Sequence, residues 1–236
     1  MRLICASDTH GSSLALAKIG GMARESNADC ILLAGDIVVH SFYNGFVDLL
    51  AKMSEHGKCP CICVPGNHDF WRPHKYFDRK AGDGHYFTST EDYDVRCLVD
   101  SFAFIRTITN PLVTAGIPLL KVWGTPWTKY CGKWNYMLDT EDQLAEKFEQ
   151  IPMDTDILIT HSPPYGFGDY CDAGRIGSEA LTQAIQKRPN LKLCVFGHNH
   201  DCFGWEGKIG DTVLCNVACH DKMYQFRWEG IKIIDL

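Results

Sequence analysis

Several residues that can ligate metals, and one further histidine, follow directly after short apolar runs of this sequence. The set comprises Asp8, His10, Asp36, Asn67, His68, His161, His198 and His200. Side chains two residues apart in an extended chain point the same way, so Asp8 can act with His10, and His198 with His200. Asp36 has two oxygens and could bridge two cations, while Asn67 offers a neutral carbonyl oxygen. Imidazole and carboxylate donors suit Mn, Fe, Zn, Co or Ni and do not require a thiolate.

The chemistry that this set predicts is metal-assisted hydrolysis. Two cations about 3.5–4 Å apart can bind and ionise a water molecule and clamp the oxygens of an in-line displacement. His68 is then the natural proton donor to a leaving oxygen. The alternative is that Asp36 and Asn67 merely start turns, as Asp and Asn often do. It does not explain why so many imidazoles follow the same kind of apolar run.

Five strands buried on both faces are predicted to position these residues. Each apolar run is short, does not alternate with polar residues and is rich in Ile, Leu, Val or Cys, which is typical of a parallel strand between two layers. The runs are 3–6, 30–34, 61–64, 157–160 and 193–196. Ligands of open α/β sheets gather beyond the carboxyl ends of the strands. We therefore expect the side chains that follow the runs to meet at one edge.

Helical patterns separate several of these strands. Residues 178–188 and, more weakly, 14–22 have apolar residues at helical spacing, and Thr140 with Gln143 predicts a capping box before a third helix. The clearest stripe is Phe42, Phe46, Leu49, Leu50 and Met53. Strands alternating with helices indicate a parallel sheet.

A second group of strands suggests another, more antiparallel sheet packed against the first. Short strands are predicted at 95–99, 102–106, 119–123, 213–217, 224–228 and 231–236, with a tight turn at Glu229–Gly230. No linker or repeat interrupts the pattern, so we expect a single domain over residues 1–236.

Composition limits the classes of partner. The 236 residues have a formal net charge of -6 without a block of like charges, which argues against nucleic acid and anionic membranes as partners. No apolar run approaches the roughly 20 residues of a membrane span. The start of the sequence does not resemble a secretion signal, so we expect a cytoplasmic protein whose twelve cysteines are reduced. Cys59, Cys61 and Cys63 are expected to be small buried residues; a zinc site there is the alternative.

The ordered motifs resemble those of the calcineurin-like metallophosphoesterases. The matching stretches are DTH at 8–10, GD at 35–36, GNHD at 66–69, His161 and GHNH at 197–200. The resemblance implies a four-layer α/β/β/α sandwich of two mixed sheets, with a dinuclear centre in which manganese is the leading metal. It implies that Asp8, His10 and His200 bind the first metal, that Asn67, His161 and His198 bind the second, and that Asp36 bridges. A metal-bridging hydroxide would attack phosphorus, with His68 assisting the leaving group.

Two further stretches favour one branch of that family. VWGTPW at 122–127 and THSPPYG at 160–166 resemble the small MPPED-type group, which is similar to class III cyclic-nucleotide phosphodiesterases. The resemblance implies a small phosphodiester substrate, with a cyclic nucleotide as the leading candidate. An Mre11/SbcD-like nuclease and a non-catalytic, metal-bound scaffold are the alternatives. The protein Ser/Thr phosphatase branch usually carries GDxxDRG, which this sequence lacks.

The segment 70–94 is long, polar and aromatic, so it could overhang the metals as a lid or binding loop. Within it, Arg72, His74 or Lys75 could meet a phosphate, and Trp71 or Tyr76 a base. Trp127 and Tyr165 could also contact substrate or could simply pack. The other histidines are expected to be ordinary surface or hydrogen-bonded residues: His40, His56, His74, His85 and His220. Cys219 next to His220 is not expected to be a nucleophile, because adjacent side chains in a strand diverge.

Overall fold

The structure is a computed structural model that describes residues 1–38, 46–69, 78–79, 85–90, 93–106 and 119–236. Two large mixed β-sheets dominate it. The first has the strand order β17-β1-β2-β3-β6-β5-β4, and the second has the order β15-β16-β14-β11-β8-β7. The strands of the first sheet are β1 (Arg2–Ala6), β2 (Cys30–Ala34), β3 (Cys61–Val64), β4 (Asp78–Arg79), β5 (His85–Thr90), β6 (Tyr93–Leu98) and β17 (Lys232–Asp235).

The second sheet contains the remaining long strands. They are β7 (Ser101–Ile105), β8 (Leu120–Thr125), β11 (Ile157–Thr160), β14 (Leu193–Phe196), β15 (Glu206–Ile209) and β16 (Thr212–Asn216). Two short ribbons complete the strands: β9 (Thr128–Lys129) with β10 (Met137–Leu138), and β12 (Tyr170–Cys171) with β13 (Gly174–Arg175). The helices of the described ranges are α1 (Ser13–Ser26), α2 (Phe46–Gly57), α3 (Glu141–Phe148) and α4 (Glu179–Gln186), with short 3-10 turns at His200–Cys202 and Trp228–Gly230.

Three apolar layers hold four structural layers together. In β1, Leu3 and Cys5 face the second sheet, while Ile4 and Ala6 pack towards α1 and α2. In β11, Ile157 and Ile159 face the first sheet, while Leu158 packs with the residues of α3 and α4. Because successive side chains of a strand point to opposite faces, a run that is apolar throughout buries both faces. The predicted α/β/β/α sandwich is therefore confirmed.

Local signals set the helix ends. The capping box before α3 is present, because the Thr140 hydroxyl accepts from the Gln143 backbone N–H and the Gln143 side chain accepts from the Thr140 N–H. Ser178 caps α4 through the Leu181 N–H, and the Glu141 carboxylate accepts from the Ser178 hydroxyl. Each cap satisfies an N–H that the first helical turn leaves unpaired. Phe42 of the predicted α2 stripe lies outside the described residues.

The five motif-bearing strands are confirmed, but their division between sheets was not predicted. β1, β2 and β3 belong to the first sheet, whereas β11 and β14 belong to the second. The strand predicted at 95–99 also joins the first sheet, through parallel pairing of β6 with β3. The last strand, β17, pairs antiparallel with β1 instead of forming part of a separate antiparallel sheet.

The strand predicted at 224–228 is wrong. The Asp221 carboxylate accepts from the backbone N–H groups of Met223 and Gln225, and Tyr224 has a left-handed φ of 55°. An Asp side chain that bonds to the backbone two residues on stabilises a turn against extended structure. A 3-10 helix at Trp228–Gly230 replaces the predicted tight turn at Glu229–Gly230.

The segment 70–94 is not wholly a loop. Its described parts form β4, β5 and the start of β6, an antiparallel extension of the first sheet. The proposed substrate contacts Trp71, Arg72, His74, Lys75 and Tyr76 lie outside the described residues. Among the described helices, none is long and apolar enough to cross a membrane.

All twelve cysteines lie in the described ranges, and none of them forms a disulfide bond. Cys59, Cys61 and Cys63 are buried in the layer between the first sheet and its helices. They therefore contribute apolar packing, as expected for the alternating run.

Arg188 connects the carboxyl ends of α3 and α4. Its buried guanidinium donates to the backbone carbonyls of Phe148, Ile151 and Ala184 at 3.1, 3.0 and 2.6 Å. Phe148 and Ala184 lie in the last turns of α3 and α4, where C=O groups have no intrahelical partner, and Ile151 follows the end of α3.

We predict that Arg188→Met lowers the free energy of unfolding by about 2–4 kcal/mol, because it leaves buried carbonyl groups without their hydrogen-bond donor. Urea denaturation measures the change. Lys187→Met is the matched control, since Lys187 is an exposed neighbour whose replacement should change stability by less than about 0.5 kcal/mol. Equal stability of the two variants would contradict the proposed role of Arg188.

Candidate metal centre

The eight candidate residues all follow strands whose carboxyl ends meet where the two sheets face each other. The loops after β1 and β2 are joined by backbone hydrogen bonds, from Asp8 N–H to Gly35 O (2.9 Å) and from His10 N–H to Asp36 O (3.0 Å). Across the second sheet, the Gly197 N–H donates to His161 O at 3.2 Å. The expected convergence at one edge is therefore observed, with both sheets contributing.

One group consists of Asp8, His10 and His200. The Nε2 atoms of the two histidines lie 3.1 Å apart, and His200 Nε2 lies 3.3 Å from Asp8 Oδ1. The other nitrogen of His200, Nδ1, lies 3.1 Å from the backbone oxygen of Asp221, a contact that orients the ring. One potential ligand atom from each of the three residues lies within 4.8 Å of the others.

A second group surrounds His161, which is fully buried. Its Nε2 lies 2.9 Å from Asn67 Oδ1 and 3.4 Å from Asp36 Oδ1, while its Nδ1 contacts the Ala34 carbonyl at 2.8 Å. The ring of His198 lies 5.0 Å from the ring of His161. His198 belongs to none of the tight three-residue groups found in the described ranges, although its backbone N–H donates to Asp8.

Asp36 lies between the two groups. It clusters with Asp8 and His161 on one side and with His10 and His68 on the other. Its two oxygens face different candidate residues, since Oδ1 lies 3.4 Å from His161 Nε2 and Oδ2 lies 3.8 Å from His68 Nε2.

His68 approaches Asp36 in two ways. Its backbone N–H donates to Asp36 Oδ1 at 2.8 Å, and its Nε2 lies 3.8 Å from Asp36 Oδ2. The ring is also 5.2 Å from that of His10. His68 is therefore close enough to serve the same reacting group as the candidate ligands.

Left-handed backbone conformations recur at the candidate ligands. Asp8, His10, Asp36 and His198 have φ values of 56°, 46°, 49° and 66°. Residues other than glycine adopt such values at an energetic cost, which the surrounding structure must offset. The left-handed residues lie just beyond the carboxyl ends of β1, β2 and β14, where the chain turns out of each strand.

Two motif glycines are required because site atoms occupy the space of a side chain. A Cβ atom on Gly66 would overlap Asp36 Oδ1 and the ring of His161, and one on Gly197 would overlap Asp8 Oδ2 and Ser7 Oγ. The glycines in the GNHD and GHNH motifs thus allow close approach of ligand side chains to the backbone.

Asp69, the last residue of the GNHD motif, stabilises the loops beneath the site. Its carboxylate accepts from the backbone N–H groups of Ile37, Val38 and Gly66 at 3.1, 2.9 and 2.8 Å. Burial and the charge of Asp36 raise the pKa of Asp69 to about 7, against the effect of these N–H groups. The residue joins the loop that follows β2 to the loop that follows β3.

The pKa values show how the site balances its charges without a cation. Burial would raise the pKa of Asp8, but hydrogen bonding and charge from His200, His161 and His10 keep it well below the usual range. Burial would lower the pKa of His161, but Asp36 and Asp8 raise it to about 9. Burial lowers the pKa of His10 to about 4, and burial with the charge of His161 does the same for His198.

These features fit divalent cations. The carboxylates are buried and kept ionised, and two imidazole nitrogens face each other at 3.1 Å, which requires a proton or a cation between them. His10 Nδ1 is buried and has no hydrogen-bond partner among the described residues. The mixed imidazole, carboxylate and amide donors are those that transition metals bind in proteins.

Several supporting residues were not found from the sequence. His220 is buried, and its Nδ1 lies 2.7 Å from the backbone oxygen of Asp8, so it is hydrogen-bonded as expected but also part of the site's frame. The rings of Trp134 and Tyr224 contact candidate histidines. These residues come from distant loops, and only the three-dimensional structure brings them to the site.

Other residues singled out in the sequence have structural contacts. The Trp127 indole N–H donates to Asp100, and Lys147 lies over its ring at 4.3 Å. Tyr165 has Arg175 5.7 Å from its ring. Burial raises the pKa of Cys219 strongly, so its thiol is not an activated nucleophile.

Comparison with known proteins agrees with this geometry. A family model described as calcineurin-like phosphoesterase matches residues 1–202, a range that includes all eight candidate residues. The chain belongs to the calcineurin-like phosphoesterase family. The resemblance seen in the motifs is thereby confirmed, and the family and the clustered candidate ligands support a metal-dependent phosphoesterase.

Similar proteins include members of the MPPED-type group. The human protein "Metallophosphoesterase domain-containing protein 1" is 29% identical over 236 residues, which cover 95% of this chain and 68% of that protein. "UPF0046 protein T07D4.2" of Caenorhabditis elegans is 27% identical over 221 residues, covering 86% of this chain and 52% of that protein.

Solved structures share the fold at low sequence identity. The protein TT1561 of Thermus thermophilus has a TM-score of 0.60 and 14% identity, covering 99% of this chain and 98% of that one. A dimetal phosphatase from Danio rerio has a TM-score of 0.54 and 11% identity, covering 92% and 87% of the two chains.

We predict that Gly197→Ala weakens the binding of Mn²⁺ by at least about tenfold, because the new methyl group displaces Asp8. Isothermal titration calorimetry of the metal-free protein measures the affinity. Gly21→Ala is the matched control, since a Cβ there meets only His56 Nε2 at 3.8 Å. Unchanged affinity in the Gly197 variant would show that Asp8 does not bind the metal.

Proposed function

We propose that the chain is a dinuclear-metal phosphodiesterase. The observation that carries the proposal is the position of Asp36 between two groups of potential ligands. In this proposal Asp8, His10 and His200 bind one cation, Asn67, His161 and His198 bind the other, and Asp36 binds both. Manganese is the first metal to test, with iron, zinc, cobalt and nickel as alternatives.

The bound cations would supply a water molecule that ionises near neutral pH and a positive field for the phosphate oxygens. The residues of the chain orient these groups and move the proton. His68, beside Asp36, donates a proton to the leaving oxygen of the ester, which has to accept one as its bond to phosphorus breaks. Asp69 holds together the two loops that bear Asp36 and His68 by accepting hydrogen bonds from backbone N–H groups of both.

The proposed substrate is a small phosphodiester, with cyclic nucleotides as leading candidates. This choice is supported by the resemblance of the stretches at 122–127 and 160–166 to the MPPED-type group, which is similar to class III cyclic-nucleotide phosphodiesterases. The net charge of -6 gives little support to a nuclease that must neutralise a polyanion along its length. A single domain over residues 1–236 and a cytoplasmic location stay predictions.

Hydrolysis assays test the proposal directly. The metal-free protein is loaded in turn with Mn²⁺, Fe²⁺, Zn²⁺, Co²⁺ and Ni²⁺, and each form is tested on bis(p-nitrophenyl) phosphate, p-nitrophenyl phosphate, cyclic nucleotides and linear DNA. Metal-dependent turnover with diester preferred over monoester is expected. A folded, metal-loaded protein that hydrolyses none of them would contradict the proposal and favour a scaffold. Cleavage of DNA with a steep salt dependence would favour a nuclease.

We predict that His68→Ala lowers kcat by about 10²–10⁴-fold, the usual contribution of a general acid, while the affinity for metal changes little. Steady-state kinetic assays measure kcat, and calorimetry on the same sample measures the affinity for metal. His56→Ala, a change at the end of α2, is the control and should retain full activity. Loss of metal from the His68 variant would instead make His68 a ligand and contradict its assignment as proton donor.

We predict that Asp36→Asn weakens the binding of both metal ions, because a bridging carboxylate contributes to both sites. Metal content after dialysis, measured by inductively coupled plasma mass spectrometry, should fall from about two ions per chain towards none. The exposed Asp154→Asn is the control. Loss of one ion with full retention of the other would contradict a bridging role.

A further inference from the structure

Two aromatic rings stand at opposite ends of a row of candidate-site imidazoles. The Trp134 ring lies 4.3 Å from the His68 ring at an interplanar angle of 35°. The Tyr224 ring lies 5.2 Å from that of His10 and 5.0 Å from that of His200. Since the rings of His68 and His10 are themselves 5.2 Å apart, Trp134 and Tyr224 lie beside neighbouring members of the same group of histidines.

Both rings keep a large accessible surface. Trp134 is 38% exposed and Tyr224 is 58% exposed, although each touches a buried, polar site. A single exposed aromatic residue is common on protein surfaces. Two such exposed rings beside the same group of histidines place apolar surface next to a charged centre.

The backbone around each ring is specified by local contacts. The loop that bears Trp134 is joined to the GNHD motif by the hydrogen bond from Asn135 N–H to Asn67 O (3.1 Å). Within this loop, Gly132 has a φ of 152°, and a Cβ there would lie 3.0 Å from the indole nitrogen of Trp134. The indole therefore packs against Gly132 at a distance that a side chain at this position would make too short.

The turn that bears Tyr224 is equally defined. Asp221 accepts from the N–H groups of Met223 and Gln225 and from Arg227 Nε at 2.7 Å, and its own carbonyl contacts His200. Tyr224 itself takes a left-handed φ of 55° within this turn. A strained, preorganised residue beside a reactive site often has a role in binding.

We propose that Trp134 and Tyr224 are the walls of a subsite that binds a planar, aromatic substituent of the phosphoester, such as an aryl group or a nucleobase. The inference rests on the proposed function, because the metals position the phosphate. Trp134, next to the proton donor His68, contacts the leaving-group side. Tyr224, next to His10 and His200, contacts the opposite side. Stacking of a planar ring on an aromatic side chain is favourable whatever its hydrogen-bonding pattern.

The test compares two phosphonates that differ in planarity. Phenylphosphonate and cyclohexylphosphonate have similar apolar size, both are dianions at a pH above their second pKa values, where the comparison is made, and neither contains a hydrolysable ester bond. Calorimetry with the Mn²⁺-loaded protein is expected to show about fivefold or tighter binding of the phenyl compound. Trp134→Leu and Tyr224→Leu should each bring the ratio of the two dissociation constants towards one. Leu retains apolar bulk and avoids the β-branch that a left-handed φ disfavours.

Phe104→Leu is the matched control. Phe104 is 45% exposed, but it pairs with Lys121 near the start of β8, away from the carboxyl edge of the sheet. Its substitution should leave the ratio unchanged. If Trp134 served only to position His68, Trp134→Leu would lower kcat on all phosphoesters and leave the phosphonate ratio intact, which would overturn its role in the subsite.

The outcomes separate the two proposals. A protein that hydrolyses phosphoesters but binds both phosphonates equally, or binds neither, overturns the aromatic subsite and leaves the phosphodiesterase function standing. A metal-loaded protein that hydrolyses no phosphoester contradicts the function itself. Retention of the phenyl preference in both leucine variants also overturns the subsite.

Discussion

The structure depends on two buried carboxylates, Asp8 and Asp36, whose charges must be balanced where the two sheets meet. An isolated buried carboxylate is very costly, and it persists only when it is paired or coordinates a metal. In the absence of cations, the imidazoles of His200 and His161 lie 3.3 and 3.4 Å from the carboxylates of Asp8 and Asp36. Both carboxylates follow strands of the first sheet, whereas the imidazoles of His161 and His200 follow strands of the second, so these pairs form only where the two sheets meet.

Close approach of these groups has a structural cost that the fold offsets elsewhere. Four candidate ligands adopt left-handed backbone conformations, and two glycines leave room for ligand atoms. The hydrogen bonds of Asp69 and the contact of His220 with the Asp8 carbonyl brace the loops on which that strain falls. The apolar layers on both faces of β1 and β11 provide the rigid support. The apolar packing of the strands thus supports the candidate ligands that follow their carboxyl ends.

Much of the fold and of the candidate site could be predicted from the sequence, because each signal was local. Apolar runs such as Cys61–Val64 marked strands, and the capping box at Thr140 marked a helix start. The division of the strands between two sheets could not be predicted, because an apolar run does not identify its neighbour. The strand predicted at 224–228 was wrong because alternating aromatic residues resembled a strand, whereas the Asp221 side chain favours a turn. Trp134 and Tyr224 were not predicted as site residues, because only the tertiary structure brings them close to the histidines.

Crystals of the protein loaded with Mn²⁺ and measured with anomalous scattering test the central claim most directly. The account predicts two anomalous peaks about 3.5–4 Å apart, with Asp36 oxygens coordinating both. Asp8, His10 and His200 should surround one peak, and Asn67, His161 and His198 the other. A single peak, or peaks remote from these side chains, would contradict a dinuclear centre at the meeting edge of the two sheets.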